Sequence, residues 1–245
     1  MMGHNHAASG VVIALAALPW APVQGTVGTL VWVFAVAGSA LIPDLDTVES
    51  SASRMWGPVS MLISLPVAWI ARGHRWGTHD FVLAPAVAVV VAYATRPGGW
   101  FASVLLAVAI GLTIRGAGLL GVGRVGWITN LISSGVAAWW LTTHYASGAS
   151  QLWVVLVWAL PLGIVAHILG DALSDGGIPV PLVWMWSPRR MVIPLFRTGR
   201  AGEAWVATPM LGVAFLLLLW WRIPLVHEWV DIATSWMTPL RGSSA

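Results

Sequence analysis

Apolar runs recur along the chain near 8–21, 25–42, 57–71, 81–95, 99–114, 127–143, 151–170 and 205–221, with mostly short polar connections between them. Several meet or approach the roughly 20 apolar residues that cross a hydrocarbon core as a helix. The pattern predicts an all-α fold, a polytopic transmembrane helical bundle. One run differs from the rest. Residues 57–71 (GPVSMLISLPVAWIA) are short, open with Gly57-Pro58 and contain Pro66. This segment is expected to be interfacial or re-entrant, which leaves about seven spans. Residues 1–222 then form a single membrane-embedded domain, and 223–245 a C-terminal tail lying along the membrane surface with Trp229 and Trp236.

Composition agrees with the pattern. Of 245 residues 58% are hydrophobic and 9% charged, and the mean hydropathy is +0.82. Soluble domains carry about a quarter charged residues. The first residues, MMGHNH, lack the basic region and cleavage site of a signal peptide, so the N-terminus is expected to be retained. There is no cysteine, which excludes disulfides, thiolate ligands and a cysteine nucleophile. All 12 basic residues are arginine and the net charge is only +3, so headgroup anchoring explains them better than nucleic acid does. Many of the 18 tryptophans stand at the ends of apolar runs, as in an interfacial belt.

Ionisable side chains in or against a bilayer are costly and by default pair, ligate or line a polar cavity. Here they cluster in four windows: His4 and His6; Asp44, Asp46 and Glu49; His74, His79 and Asp80; His167, Asp171 and Asp175. His167 and Asp171 are four apart on an apolar helix, hence one turn apart on one face. A nitrogen and an oxygen presented together suit a divalent ion, zinc first, with manganese or iron as alternatives. An isolated pair of this kind would more often be a simple hydrogen bond; three further windows tip the reading toward ligands. Pro43 discourages helix before it, so Asp44 and Asp46 fall in a turn that can present both to a cation, although one could merely cap a helix. Glu49 has no partner by spacing. Arg75 either clamps a phosphate with its planar fork or anchors at the interface.

Tracing the crossings brings the windows together. If 57–71 does not cross, His6, Asp44, Asp46, His74, His79, His167 and Asp171 all reach one face. The same face receives Arg54, Arg72, Arg75, Arg115, Arg124, Arg189, Arg190, Arg197 and Arg200, against Arg96, Arg222 and Arg241 on the other. The positive-inside rule makes the crowded face cytoplasmic, with the N-terminus on that side.

The motifs NHAASG, LIPDLDTVESS, GHRWGTHDF and AHILGDALSDGGIP, in this order, resemble the YdjM-like family of LexA-regulated, inner-membrane-bound metal-dependent hydrolases. The chain departs from that pattern at Asn5, Thr47, Asp80 and Ser174, and Thr47 stands where a histidine is usual. The resemblance covers about the first 180 residues. It implies His6, Asp44, Asp46, His74, His79, His167 and Asp171 as ligands, and a bacterial-type inner-membrane location. The family is distantly similar to zinc-dependent phospholipase C and single-strand nuclease sites, which implies phosphoester hydrolysis. On that reading Asp46 or Asp80 accepts a proton, Arg75 stabilises developing charge, and the substrate is lipid or lipid-linked. Two other readings remain at this stage: a divalent-metal transporter or sensor, and a non-catalytic membrane protein with a structural ion.

Overall fold

In a computed structural model the described residues are 1–96, 99–121, 123–145, 149–224 and 226–230. The fold is all-α. The helices are α1 (Gly3–Ala17), α2 (Gly25–Ser39), α3 (Pro58–Ala71), α4 (Leu83–Tyr93), α5 (Trp100–Gly116), α6 (Arg124–Trp140), α7 (Ala149–Ala172) and α8 (Thr208–Arg222). Among the described residues three helical stretches are long and apolar enough to cross a membrane: Gly25–Asp46, Leu152–Ala172 and Glu203–Arg222. The expected tail lies mostly in 231–245, outside the described residues; Trp229, within them, is exposed.

Helix α2 is the axis of the bundle and packs against α1, α5 and α7. Small residues let these backbones approach, as membrane helices require where apolar side chains gain nothing over lipid tails. A Cβ on Gly38 would lie 1.9 Å from the carbonyl oxygen of Ala109 in α5, and one on Gly163 of α7 would lie 2.4 Å from that of Val36. α8 packs against α1 and exposes Leu216, Leu217 and Trp221.

Pro66 does not break α3, which is one continuous helix through it. α3 packs against the turn 43–46 and the short helical turn 77–79, so its two flanks meet. Asp46 before it and His74 after it stand 2.9 Å apart. Both flanks of α3 therefore serve the same end of the bundle. That end also gathers the start of α1, the ends of α2 and α7, and, through Asn5 and Glu203, the start of α8.

After α7 the chain forms a small strap that no helical periodicity signals. β1 (Ile178–Pro179) pairs antiparallel with β2 (Arg190–Met191), with Ile178 opposite Met191. The strap closes over the loop 72–79: Trp184 packs against Gly77, and Leu182 N–H and Trp184 Nε1 both donate to Asp80 Oδ2 at 2.6 and 2.7 Å.

Candidate metal centre

The end of α2 sets the first anchor. In an unbroken helix the Ala40 carbonyl would accept from residue 44; Pro43 stops the helix and leaves that oxygen free. His167 Nδ1 takes it at 2.7 Å. A carbonyl can only accept, so Nδ1 carries the proton and Nε2 of the neutral ring presents a lone pair. That Nε2 faces Asp44 Oδ1 at 3.8 Å, Asp171 Oδ2 at 3.7 Å and His79 Nε2 at 3.0 Å.

The loop 72–79 supplies the second set of nitrogens. Asp46 lies behind it, buried, and accepts from His74 Nδ1 at 2.9 Å, Thr78 Oγ1 at 2.6 Å and the Arg75 backbone N–H at 3.2 Å. His79 Nδ1 lies 3.3 Å from the same carboxylate. Asp46 was expected as a ligand and proton acceptor; the structure places it on the Nδ1 side of both rings, with its oxygens already engaged. It orients two imidazoles so that their Nε2 atoms point away from it, the carboxylate–histidine arrangement found behind metal ligands. Burial alone would lower the His79 pKa; the carboxylates of Asp171 and Asp46 outweigh it and raise the value above the ordinary range. The surroundings of His79 thus favour positive charge at this ring.

Asp171 is the hub on α7. Arg75 pairs with both of its oxygens, Nη2 donating to Oδ1 at 3.2 Å and Nε lying 3.1 Å from Oδ2, and Nη1 donates to Ser174 Oγ at 3.3 Å. The Met1 amino group also contacts Asp171. His6 stacks on His167 with ring centroids 3.6 Å apart. Its Nε2 lies 3.3 Å from Asp171 Oδ1, yet neither ring nitrogen of this fully buried side chain makes a hydrogen bond.

These features bear directly on whether an ion fits. Ligand atoms of His6, Asp44 and His167 lie within 4.8 Å of one another, as do those of Asp44, His74 and His79, and those of His79, His167 and Asp171. Asp44, His79 and His167 each belong to two sets, and every donor is nitrogen or oxygen, as borderline divalent metals accept. With its Nδ1 proton committed to Ala40, His167 turns an Nε2 lone pair toward His79 Nε2 at 3.0 Å, with Asp171 and Asp44 facing the same atom. The unpartnered His6 nitrogens are a further unmet demand.

One expected residue stands elsewhere. Asp80 is no part of the cluster: Oδ1 caps α4 by accepting from Val82 and Leu83 N–H at 2.8 Å each, and Oδ2 holds the strap. Burial opposes its charge, but the bonds from Leu182, Leu83, Val82 and Trp184 prevail and hold its pKa below the usual carboxylate value. Both of its oxygens are thus engaged by α4 and the strap, away from the cluster. His4 is exposed, and His144 and His227 stack on Trp140 and Trp220, away from the cluster.

Glu203 was passed over in the sequence. It is buried before α8 and accepts from Asn5 Nδ2 at 2.7 Å, Met2 N–H at 2.6 Å and Gly199 N–H at 2.8 Å. It fixes the first turn of α1, next to His6. Its place at the end of the polar segment 197–203, beside two arginines, reads as an ordinary solvated acid and gave no signal.

No curated protein and no solved structure matches the chain. The profile of the YdjM inner membrane protein family does, over residues 1–239, which takes in every cluster residue and the strap as well. A match of that extent means that the chain belongs to the YdjM inner membrane protein family.

Proposed function

We propose that this protein is a membrane-bound, metal-dependent hydrolase acting on a phosphoester of a lipid or lipid-linked substrate at the cytoplasmic face. The observation that carries the reading is His167, whose Nδ1 is committed to the Ala40 carbonyl while its Nε2 converges with His79 Nε2, Asp171 and Asp44. His6, Asp44, His74, His79, His167 and Asp171 hold the ion or ions, zinc first. A bound divalent ion polarises the scissile bond and lowers the pKa of water from 15.7 to about 7.

The chain's own groups do the rest. Asp46 orients His74 directly and His79 through Thr78, which bonds both. Asp44 accepts no hydrogen bond on its carboxylate among the described residues and is only partly buried, so its oxygens are open to the ion. Arg75 is fixed by Asp171 and Ser174 and adds a positive charge beside the site for a phosphoryl group. His74, 47% exposed at its side chain, is the member of the cluster open to an incoming substrate. A cluster at one end of the bundle suits hydrolysis at the interface better than transport, which needs a site reachable from both faces.

Metal analysis of the purified protein beside a His167→Ala, Asp171→Ala variant tests the centre: the wild type should hold zinc or a related ion that the variant lacks. Equal metal in the two would sink it. Hydrolysis of a phospholipid and phosphoester panel should stop with chelator and return with metal.

A further inference from the structure

Outside the cluster, one surface combines features that belong together chemically. Between the loop 72–79 and the strap lies an open groove of about 230 Å³, lined among others by Arg72, Trp76, Trp184, Trp186 and Ser187. Its inner wall is continuous with the cluster, because Trp76 belongs to the loop that carries His74 and His79 and Trp184 packs on Gly77 of that loop.

The charge on this groove is unspent. Arg72 is exposed, and no carboxylate pairs with it; among the described residues only Arg75 of the arginines makes an ion pair, to Asp171. Arg190 stands over the Trp76 ring at 4.8 Å and gives one bond to the Gly176 carbonyl, leaving its charge unpaired beside the same wall. The carboxylate nearest Arg72 in sequence, Asp80, is turned to Leu182 and Trp184. Backbone strain collects here too: the non-glycine residues with left-handed φ among those described are Arg72, Arg75 and Leu182, all in this loop or its strap. Such conformations persist where the surroundings hold them, and they gather at functional sites.

Beyond the groove the surface turns apolar. The strap exposes Met191, Val192, Ile193 and Leu195, and α3 exposes Trp69 and Ile70 immediately before Arg72. Guanidinium groups for a phosphate, indoles for an interface and an apolar apron beside them match one kind of molecule.

We infer that this groove seats the phosphate-bearing headgroup of an anionic membrane lipid. Arg72, with Arg190 behind it, binds the phosphate; Trp76, Trp184 and Trp186 flank the glycerol region; the acyl chains stay outside on the apron. The volume suits this division, being below the roughly 300–1,000 Å³ of pockets that enclose whole ligands. As a statement about substrate, with the headgroup delivered toward His74, the inference rests on the hydrolase reading; as a statement about binding it does not.

The test uses the full chain purified in neutral detergent, incubated with phosphatidylglycerol or phosphatidylcholine, repurified and assayed by mass spectrometry for retained lipid. Wild type should retain phosphatidylglycerol over phosphatidylcholine. Arg72→Ala should lower retention about tenfold, and Arg72→Lys should recover part of it. Trp186→Ala, at an 80% exposed position where folding is not at stake, should lower it as well, and metal content should be the same in all four proteins. Equal retention by Arg72→Ala and Trp186→Ala overturns the proposal, as does equal retention of phosphatidylcholine. Displacement of the lipid by millimolar inorganic phosphate would show a free-phosphate site and overturn it too. Turnover is scored separately. Lipid bound at Arg72 but never cleaved leaves the groove and removes the hydrolase; cleavage indifferent to Arg72→Ala does the reverse.

Discussion

The helix over Leu152–Ala172 and the one over Glu203–Arg222 are both long and apolar enough to cross a membrane, yet 56% of the first window is buried inside the protein and 6% of the second. Apolarity cannot tell them apart, since lipid and protein core accept the same side chains. What separates them is small and polar residues. α7 carries Gly163 against the α2 backbone and His167 and Asp171 into the cluster. α8 faces outward with Leu216, Leu217 and Trp221, and it is tied to the bundle mainly along α1, through Thr208 and the Glu203 that precedes it.

The comparison can be broken most forcefully at Gly163. Gly163→Val places a Cβ 2.4 Å from a backbone oxygen that cannot move alone, so it should cost about 3 kcal/mol and shift His167, one turn on. Thermal unfolding in detergent and metal content should fall together. Next comes the one strong tie of the outer helix. Glu203→Ala leaves Asn5, Met2 and Gly199 donors without an acceptor and should cost about 2 kcal/mol, with partial loss of metal through His6. An intact melting curve would show that α1 needs no such anchor.

A smaller effect is expected at Asp80, where alanine removes the α4 cap and the hold on the strap at about 1 kcal/mol. Metal content should stay at the wild-type level. Activity should fall less than the 10²-fold or more typical of a lost general base, so a larger fall would return Asp80 to the chemistry. Least of all, and opposite in sign, is Gly212→Ala in α8. Nothing lies within 4 Å of the added Cβ, so the helix should gain up to about 1 kcal/mol. Any loss there would mean that α8 is covered by something absent from the bundle.

These positions also show what the sequence could convey. The His-x3-Asp spacing put two ligands on one face of α7, and the reading of 57–71 as a segment that does not cross brought His74 to Asp46. Six of the seven expected ligands fall in the cluster sets for that reason. Asp46 could not be separated from Asp44 in advance. Spacing puts both in one turn, but which carboxylate meets Nδ1 and which meets Nε2 depends on how a loop 30 residues later folds back. Asp80 misled because it adjoins His79; its oxygens are claimed by a strap about 100 residues away, whose two-residue strands leave no periodic trace. Glu203 follows Arg197 and Arg200 in a polar segment, so neither its burial nor its partners at Met2 and Asn5, some 200 residues away, could be read in advance.

The free Ala40 carbonyl, and the cluster around it, bear on how the protein is made. The first candidate ligand is residue 6 and the last is residue 171, contributed by α1, the α2 turn, the loop after α3, and α7. A chain still emerging from the ribosome before α7 lacks both the imidazole that claims Ala40 and the carboxylate that Arg75 grips. On the metal reading the ion can therefore join the bundle only once α7 has docked on α2, and its binding free energy then adds to the folded state alone. Metal retention becomes a readout of completed insertion, which a pulse-chase of truncated chains on a chelating resin would follow directly.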